Sequence, residues 1–489
     1  MESLSLNKKI FSGILWSSIQ LVINKVFAFA IKILLAKLLF PEQFGLVGMA
    51  TVFISLVQVF NDLGIGSALI QKKEETLNEK HYYTAFCTGV IWSVIVYVLI
   101  YFAVAPLAAI FFNEPMLRQI IPVLGLGILS GPINLIHKVR LTKLMNFKKL
   151  AYIDNVSTIF SGVLALTLAY FGAGVWALVF NSVASFLVAM PLYFRASSWI
   201  PKLIWDKAAF KEIFGFGLFT TGTNFMNFLL LNIDYLLIGK LLSAAALGKY
   251  TFAFVLTDTF RNQLTTMINK VMYPVYSQKQ FDLMALRRYY HKVVILNGAF
   301  VYPIMIFFIV LGEPFILSFF GQKWAGAVLP MKILALSVMI NMLVSSHAIL
   351  IRGLGQPETE MRMQLIKLVL YVPTISLGIY WYGMVGAAWA YVINKVLEVV
   401  IAQFYLKRLI NITLLDLLRT IKPILIASAA SYCITILLFK SGLHYLLCAI
   451  ALGAIYSGLI WLFMGEKLTS QFRGFRSNQE KKTAVSSFK

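Results

Sequence analysis

The residues of this sequence able to do chemistry are charges set in apolar surroundings. Lys25 and Lys32 interrupt the first hydrophobic run. Asp258 and Arg261 stand three residues apart in another, as do Lys395 and Glu398, and Asp62, Asp154, Asp234 and Lys367 each break a further one. A charge held at mid-bilayer costs about 2.5–3.5 kcal/mol even on an insertion scale, so each must face water, a partner or a charged ligand. Cations at such depth suit a phosphate or diphosphate, and carboxylates there suit exchange of H+ or Na+. The three cysteines, Cys87, Cys433 and Cys448, have no metal-ligand spacing, and no Gly-rich Walker loop for ATP occurs, so no metal or cofactor is expected. His347 is the only histidine of the five inside an apolar segment, and reads as a satisfied core histidine.

Each charge also has a plainer reading. Asp258/Arg261 and Lys395/Glu398 have the i, i+3 spacing at which a helix lets a pair neutralise itself. Lys25 and Lys32 have no acidic neighbour at helical spacing, which favours a wet cavity over snorkelling. Lys37 and Lys240 fall at an interface, where snorkelling accounts for them. Asp62 and Asp154 fit ion coupling and hydrogen-bonded packing equally.

The elements that must hold these charges follow from composition. Of 489 residues, 60% are hydrophobic and 13% charged, with a mean hydropathy of +0.80. Continuous apolar runs recur along the whole chain, which indicates membrane-spanning helices and excludes the alternating pattern of a β-barrel. About fourteen spans are expected. The formal net charge of +23 follows topology: with fourteen spans, about 30 Lys and Arg lie on one side and about 6 on the other, which puts both termini in the cytoplasm. Nucleic acid is not needed to explain the charge.

Internal repetition orders the spans. Lys211 to Val255, moved back by about 203 positions, lies on Lys8 to Val52 with about a dozen identities in roughly 45 positions, among them Gly45 with Gly248 and Lys37 with Lys240. Trp176-Ala-Leu-Val-Phe-Asn181 recurs as Trp389-Ala-Tyr-Val-Ile-Asn394, each after a helix-breaking glycine, Gly172 and Gly383. The expected fold is an all-α polytopic membrane protein with two parallel-repeat six-helix bundles around a central cavity, plus two C-terminal helices. The bundles are expected at 1–198 and 212–406, with a cytoplasmic amphipathic linker at 199–211. A second linker follows at 407–422, the two extra helices at 423–465, and a basic cytoplasmic tail at 466–489.

Helical periodicity sorts the polar residues by face. On the first span Ser17, Gln20 and Asn24 share an arc with Lys25 and Lys32; on the seventh, Asn224, Asn227 and Tyr235 share one with Asp234. These stripes, with Asp258 and Arg261 on the eighth span, are expected to line the cavity.

Phe44-Gly-Leu-Val-Gly-Met-Ala, Phe60-Asn-Asp-Leu-Gly-Ile-Gly-Ser-Ala-Leu-Ile-Gln71 and Asn232-Ile-Asp-Tyr-Leu-Leu-Ile-Gly with Leu247-Gly-Lys-Tyr resemble the polysaccharide-exporter branch of the multidrug/oligosaccharidyl-lipid/polysaccharide superfamily, in particular the colanic acid and teichuronic acid exporter group. The basic stretch Lys138 to Lys149 is also similar. The resemblance implies an alternating-access flippase in the bacterial cytoplasmic membrane, moving undecaprenyl-diphosphate-linked oligosaccharide for surface polysaccharide synthesis. It implies membrane lipid around the chain and a polysaccharide polymerase as a candidate partner. Depth and face, independently of any family motif, nominate Lys25, Lys32, Arg261 and Lys395 for the diphosphate head. Asp62, Asp154, Asp234, Asp258 and Glu398 are the candidates for H+ or Na+ coupling. The competing readings are a multidrug or small-cation antiporter, a lipid II flippase and a membrane-embedded polymerase or ligase. The first would want an acidic or aromatic cavity, and the last would need long outer loops that the spacing of the spans does not leave.

Overall fold

A computed structural model describes residues 24–61, 65, 66, 69, 77–144, 146–197 and 199–465, apart from the side chains of 60, 213–224, 226, 227, 230 and 357. Every regular element among these residues is a helix. Among the described residues ten helices are long and apolar enough to cross a membrane, and one of them, Glu358–Ile410, is bent back at Gly383. The chain is thus an all-helical multi-pass membrane protein, as its composition requires; length and composition alone do not establish fourteen crossings.

The chain divides into two compact units, Met1–Phe252 and Ala253–Lys489. The first holds α1 (24–38), α2 (Pro41–Asn61), α3 (Glu79–Phe112, with a π-helical turn at Ile100–Val104), α4 (Leu117–Lys143), α5 (Phe147–Tyr170), α6 (Val175–Ser197), α7 (Lys207–Leu241) and the first turns of α8 (Ala244–Gln278). Within it α6 packs on α5 and α4, α3 on α4, and α2 on α7. The second unit holds the rest of α8, α9 (Leu283–Val310), α10 (Val328–Asn341), the two arms of the long helix, α11 (357–382) and α12 (384–410), then α13 (Leu414–Lys440) and α14 (Tyr445–Gly465). There α9 packs on α10 and α13, and α10 on the α11–α12 hairpin.

Local chemistry sets the ends of these helices. Asn78 and His81 form a reciprocal cap at the start of α3, and Thr413 and Asp416 do the same for α13. Asp206 caps α7 and Asp282 caps α9, each accepting a backbone N–H three residues on. Both glycines expected to break helices do so: Gly172 ends α5 with φ +82°, and Gly383 turns the long helix with φ +57° and ψ −136°. Only glycine adopts the second conformation without strain.

The repeated glycines Gly45 and Gly248 meet. A Cβ on Gly45 would lie 1.7 Å from the carbonyl oxygen of Ala244, and one on Gly248 would lie 1.7 Å from that of Pro41. The starts of α2 and α8 therefore touch backbone to backbone, which explains why both copies of the repeat keep a glycine there. Large apolar side chains such as Phe102, Ile110, Tyr170, Val369, Phe404, Trp461 and Leu462 stay exposed. In water they would be a liability; acyl chains cover them at no cost.

Candidate functional site: a buried charge cluster and a polar cleft

Both i, i+3 pairs close, and the second unit joins them into one cluster. The Arg261 Nε donates to Asp258 Oδ1 at 2.7 Å, and the Lys395 ammonium donates to Glu398 Oε2 at 2.9 Å. Asn341, the last residue of α10, bridges the pairs: its Oδ1 accepts from Arg261 Nη1 at 3.2 Å, and its Nδ2 donates to Glu398 Oε2 at 3.3 Å. Lys367 of α11 adds a second ammonium on Glu398 Oε1 at 3.1 Å. His347 donates from Nδ1 to the Val344 carbonyl and sets Nε2 4.0 Å from Glu398. Lys395 also lies over the Tyr391 ring, 5.1 Å from its centroid. Three cations thus share two carboxylates, all on side chains no more than 17% exposed. The cluster carries a net positive charge where charge is dear, and every carboxylate in it already has a cation.

The hairpin at Gly383 brings Lys367 to Glu398, because the two lie 16 residues before and 15 after the turn. That symmetry was the sequence signal for a contact that spacing along one helix does not reveal. Asn341 had none: it is a polar residue at the end of an apolar helix.

A cleft of about 530 Å³ opens in the same unit. Thr266, Asn269, Lys270, Tyr273 and Pro274 of α8 line one wall, and Ile349 and Arg352 of the short helix His347–Gly353 line the other. Positions 266, 269, 270 and 273 follow the helical repeat, so one face of α8 supplies a hydroxyl, an amide, an ammonium and a phenol. Lys270 is exposed and makes no ion pair among the described residues. Arg352 gives Nε and Nη2 to Glu360, at 2.8 and 2.5 Å, and keeps Nη1. The Asn269 Oδ1 is buried without a hydrogen-bond donor among the described residues, an acceptor that a ligand hydroxyl would satisfy. The short helix carries His347 toward the cluster at one end and Arg352 into the cleft at the other. Sequence reading passed over Lys270 and Arg352, which resemble ordinary charges near helix ends.

The remaining nominated residues are dispersed. Lys25 and Lys32 both lie exposed on α1, two turns apart. Asn24 is engaged: its Nδ2 donates to Thr158 Oγ1 at 2.7 Å and to the Asp154 carbonyl at 3.3 Å, tying α1 to α5. The Asp154 carboxylate accepts from Tyr193 at 3.4 Å. Asp234 is buried, accepting from the Tyr235 N–H at 3.0 Å and the Tyr250 hydroxyl at 3.3 Å, and the Tyr235 ring meets Tyr250 edge-on. Ser17, Gln20 and Asp62, and the side chains of Asn224 and Asn227, lie outside the described residues. Among the described residues no His, Cys, Asp and Glu cluster has the form of a metal site.

A profile of a family described as "Polysaccharide biosynthesis protein" matches residues 34–329, more than half of the chain. The chain belongs to that family. It is 26% identical over 432 residues to the teichuronic acid biosynthesis protein TuaB of Bacillus subtilis, covering 87% of this chain and 88% of the relative. It is 24% identical over 463 residues to the lipopolysaccharide biosynthesis protein WzxC of Escherichia coli, covering 93% and 90%. Among solved structures, lipid II flippase MurJ in an inward closed conformation superposes with a TM-score of 0.73 at 13% identity, over 93% of this chain and all of that one. An inward-facing multidrug MATE transporter of the MOP superfamily superposes at 0.61 with 14% identity, over 81% of this chain and 98% of that one. At such identities the likeness is one of fold: the chain has the helical scaffold of these transporters.

Proposed function

We propose that the chain is a flippase for polyprenyl-diphosphate-linked oligosaccharide, working by alternating access in the bacterial cytoplasmic membrane for surface polysaccharide synthesis. The observation that carries this reading is the cationic excess of the second unit, three buried cations on two carboxylates beside a polar cleft whose ammonium has no ion pair among the described residues. A diphosphate-linked glycan is both anionic and rich in hydroxyls, and cannot cross hydrocarbon unaided. The names of TuaB and WzxC, and of the succinoglycan biosynthesis transport protein ExoT of Rhizobium meliloti, 24% identical over 470 residues, support a polysaccharide cargo. About fourteen crossings with both termini in the cytoplasm fit the charge bias.

In this reading Lys270 and Arg352 hold the phosphates, and Asn269, Thr266 and Tyr273 meet the first sugar. Lys25 and Lys32, exposed on α1, are candidate head-group contacts of the first unit in their own right. Arg261 and Lys395 set the positive potential rather than bind directly, since carboxylates already hold them. The carboxylates Asp258 and Glu398, each held by a cation, exchange H+ or Na+ only if that cation moves away; Asp62, Asp154 and Asp234 remain the other candidates. Transport is the activity this reading assigns to the chain. The excess of positive charge disfavours a small-cation antiporter.

The test is leaflet transfer of a labelled polyprenyl-diphosphate oligosaccharide in liposomes, with and without H+ or Na+ gradients. Lys270→Gln is expected to slow transfer at least about tenfold, the effect of one charge-assisted contact of about 1.5 kcal/mol, with no change in thermal midpoint. Lys25→Ala/Lys32→Ala tests the first unit likewise. Transfer no faster than in empty liposomes for the wild type, across several glycans, would defeat the proposal.

A further inference from the structure

A second cavity, of about 390 Å³, lies away from the cluster and the cleft. Arg287 and His291 of α9, Asn411 and Ile412 of the loop between α12 and α13, and Asp416, Arg419 and Thr420 of α13 line it. The loop is short because Asn411 ends α12 in a left-handed turn and Thr413 already caps α13. The cavity therefore sits where α12 ends and α9 and α13 begin, at the ends of three candidate spans.

The donors of this cavity outnumber its acceptors. Arg287 spends Nε on the Ile410 carbonyl at 2.6 Å, and its two Nη nitrogens have no hydrogen-bond partner among the described residues. Arg419 is exposed and makes no ion pair there. Asp416, the one carboxylate, is occupied with capping: its Oδ2 accepts from the Thr413 N–H at 2.9 Å and the Thr413 hydroxyl at 2.6 Å. The Thr420 hydroxyl donates to the Asp416 carbonyl at 2.7 Å, so the His291 Nδ1 that lies 2.7 Å from it must carry the proton. Two guanidinium groups and one carboxylate leave the pocket one positive charge.

Next to this cationic stripe runs an apolar one. Leu415, Leu418, Leu425 and Ile426 are exposed along α13, leading away from the pocket into the span. A cationic pocket at the ends of these spans, followed by an exposed aliphatic track, matches a phosphate head with acyl chains below it. We propose that this pocket binds the phosphate of an anionic phospholipid of the surrounding bilayer. The charge balance selects that ligand. A phosphodiester carries one negative charge and neutralises the pocket, whereas a diphosphate would leave at least one negative charge beside Asp416. The site is separate from the transported lipid and does not depend on the transport reading. Its consequence is that α9 and α13 are pinned together at one membrane face by a lipid.

The full chain, purified in mild detergent, would be titrated with phosphatidylglycerol, phosphatidylcholine or a polyprenyl phosphate and observed by native mass spectrometry. The wild type is expected to retain phosphatidylglycerol in preference to phosphatidylcholine. Arg419→Gln should lower that affinity about fivefold, the scale of one basic side chain against an anionic head group, while Arg408→Gln, an exposed charge outside the pocket, should leave it unchanged. Equal retention of the two phospholipids by the wild type would overturn the proposal, as would an unchanged Arg419→Gln or an equal loss in Arg408→Gln. Tighter retention of polyprenyl phosphate, lost in Arg419→Gln, would give the pocket to the carrier lipid and overturn the phospholipid assignment. If Arg419→Gln does not fold, the wild-type preference and its loss in raised salt decide alone.

Discussion

Replacing Glu398 with glutamine keeps the shape of the side chain and removes the charge that Lys367 and Lys395 share. The two ammoniums, 3.1 and 2.9 Å from its oxygens, would then face each other across a neutral amide. The three side chains are 9%, 11% and 14% exposed, so solvent screens little of the repulsion. Removing one partner of a buried ion pair costs about 3–5 kcal/mol. The Tyr391 ring under Lys395 offers partial relief, which places the expected cost near the lower end, about 3 kcal/mol. For a unit of this size that lowers the thermal midpoint by about 6–12 °C. The assay is tryptophan-fluorescence melting of the purified protein in detergent. Glu398→Gln/Lys367→Gln should recover more than half of the loss, because it removes the surplus cation as well. A shift under about 2 °C for the single variant, or losses that simply add in the double variant, would show that the cluster is not an energetically coupled unit.

Three further outcomes are expected. Gly45→Ala should destabilise the first unit by about 1–3 kcal/mol, since α2 and α8 must part, whereas Gly48→Ala, whose Cβ would meet its nearest atom at 3.5 Å, should be near neutral; equal melting points would contradict the contact. Gly383→Ala imposes a side chain on φ +57°, ψ −136° and should cost about 1–3 kcal/mol, read as a lower midpoint; a helix that tolerates it would mean the turn lies elsewhere. The Asp206 carboxylate, outside the spans, is held below its ordinary value of 3.8 by the Ala209 N–H, with Lys80 and His81 helping. A depressed folded value means this cap stabilises above the unfolded pKa and is lost as pH falls through the folded one. The midpoint difference between wild type and Asp206→Asn, which keeps the capping oxygen and removes the charge, should therefore persist at pH 5–7 and fade below about pH 4; a difference constant to about pH 3 would refute the role of the charge.

Hydropathy and glycine placement were enough to read the helices, the turns at Gly172 and Gly383 and the membrane class, because each depends on a stretch of chain shorter than one span. The pairs Asp258/Arg261 and Lys395/Glu398 were legible for the same reason: an i, i+3 contact is decided within one helix. Helical periodicity also put Asn24 on the polar face of the first span, but not what that face meets. It meets Thr158 and the Asp154 carbonyl of α5, and so serves packing there. Asn341 bridging Arg261 to Glu398, and Lys270 and Arg352 sharing a cleft, join residues 57 to 82 positions apart. Periodicity tells a helix which side is polar. Only the packing of α8, α10 and the α11–α12 hairpin decides which polar sides face one another, because that choice rests on the fit of many apolar contacts at once and on no residue's own spacing.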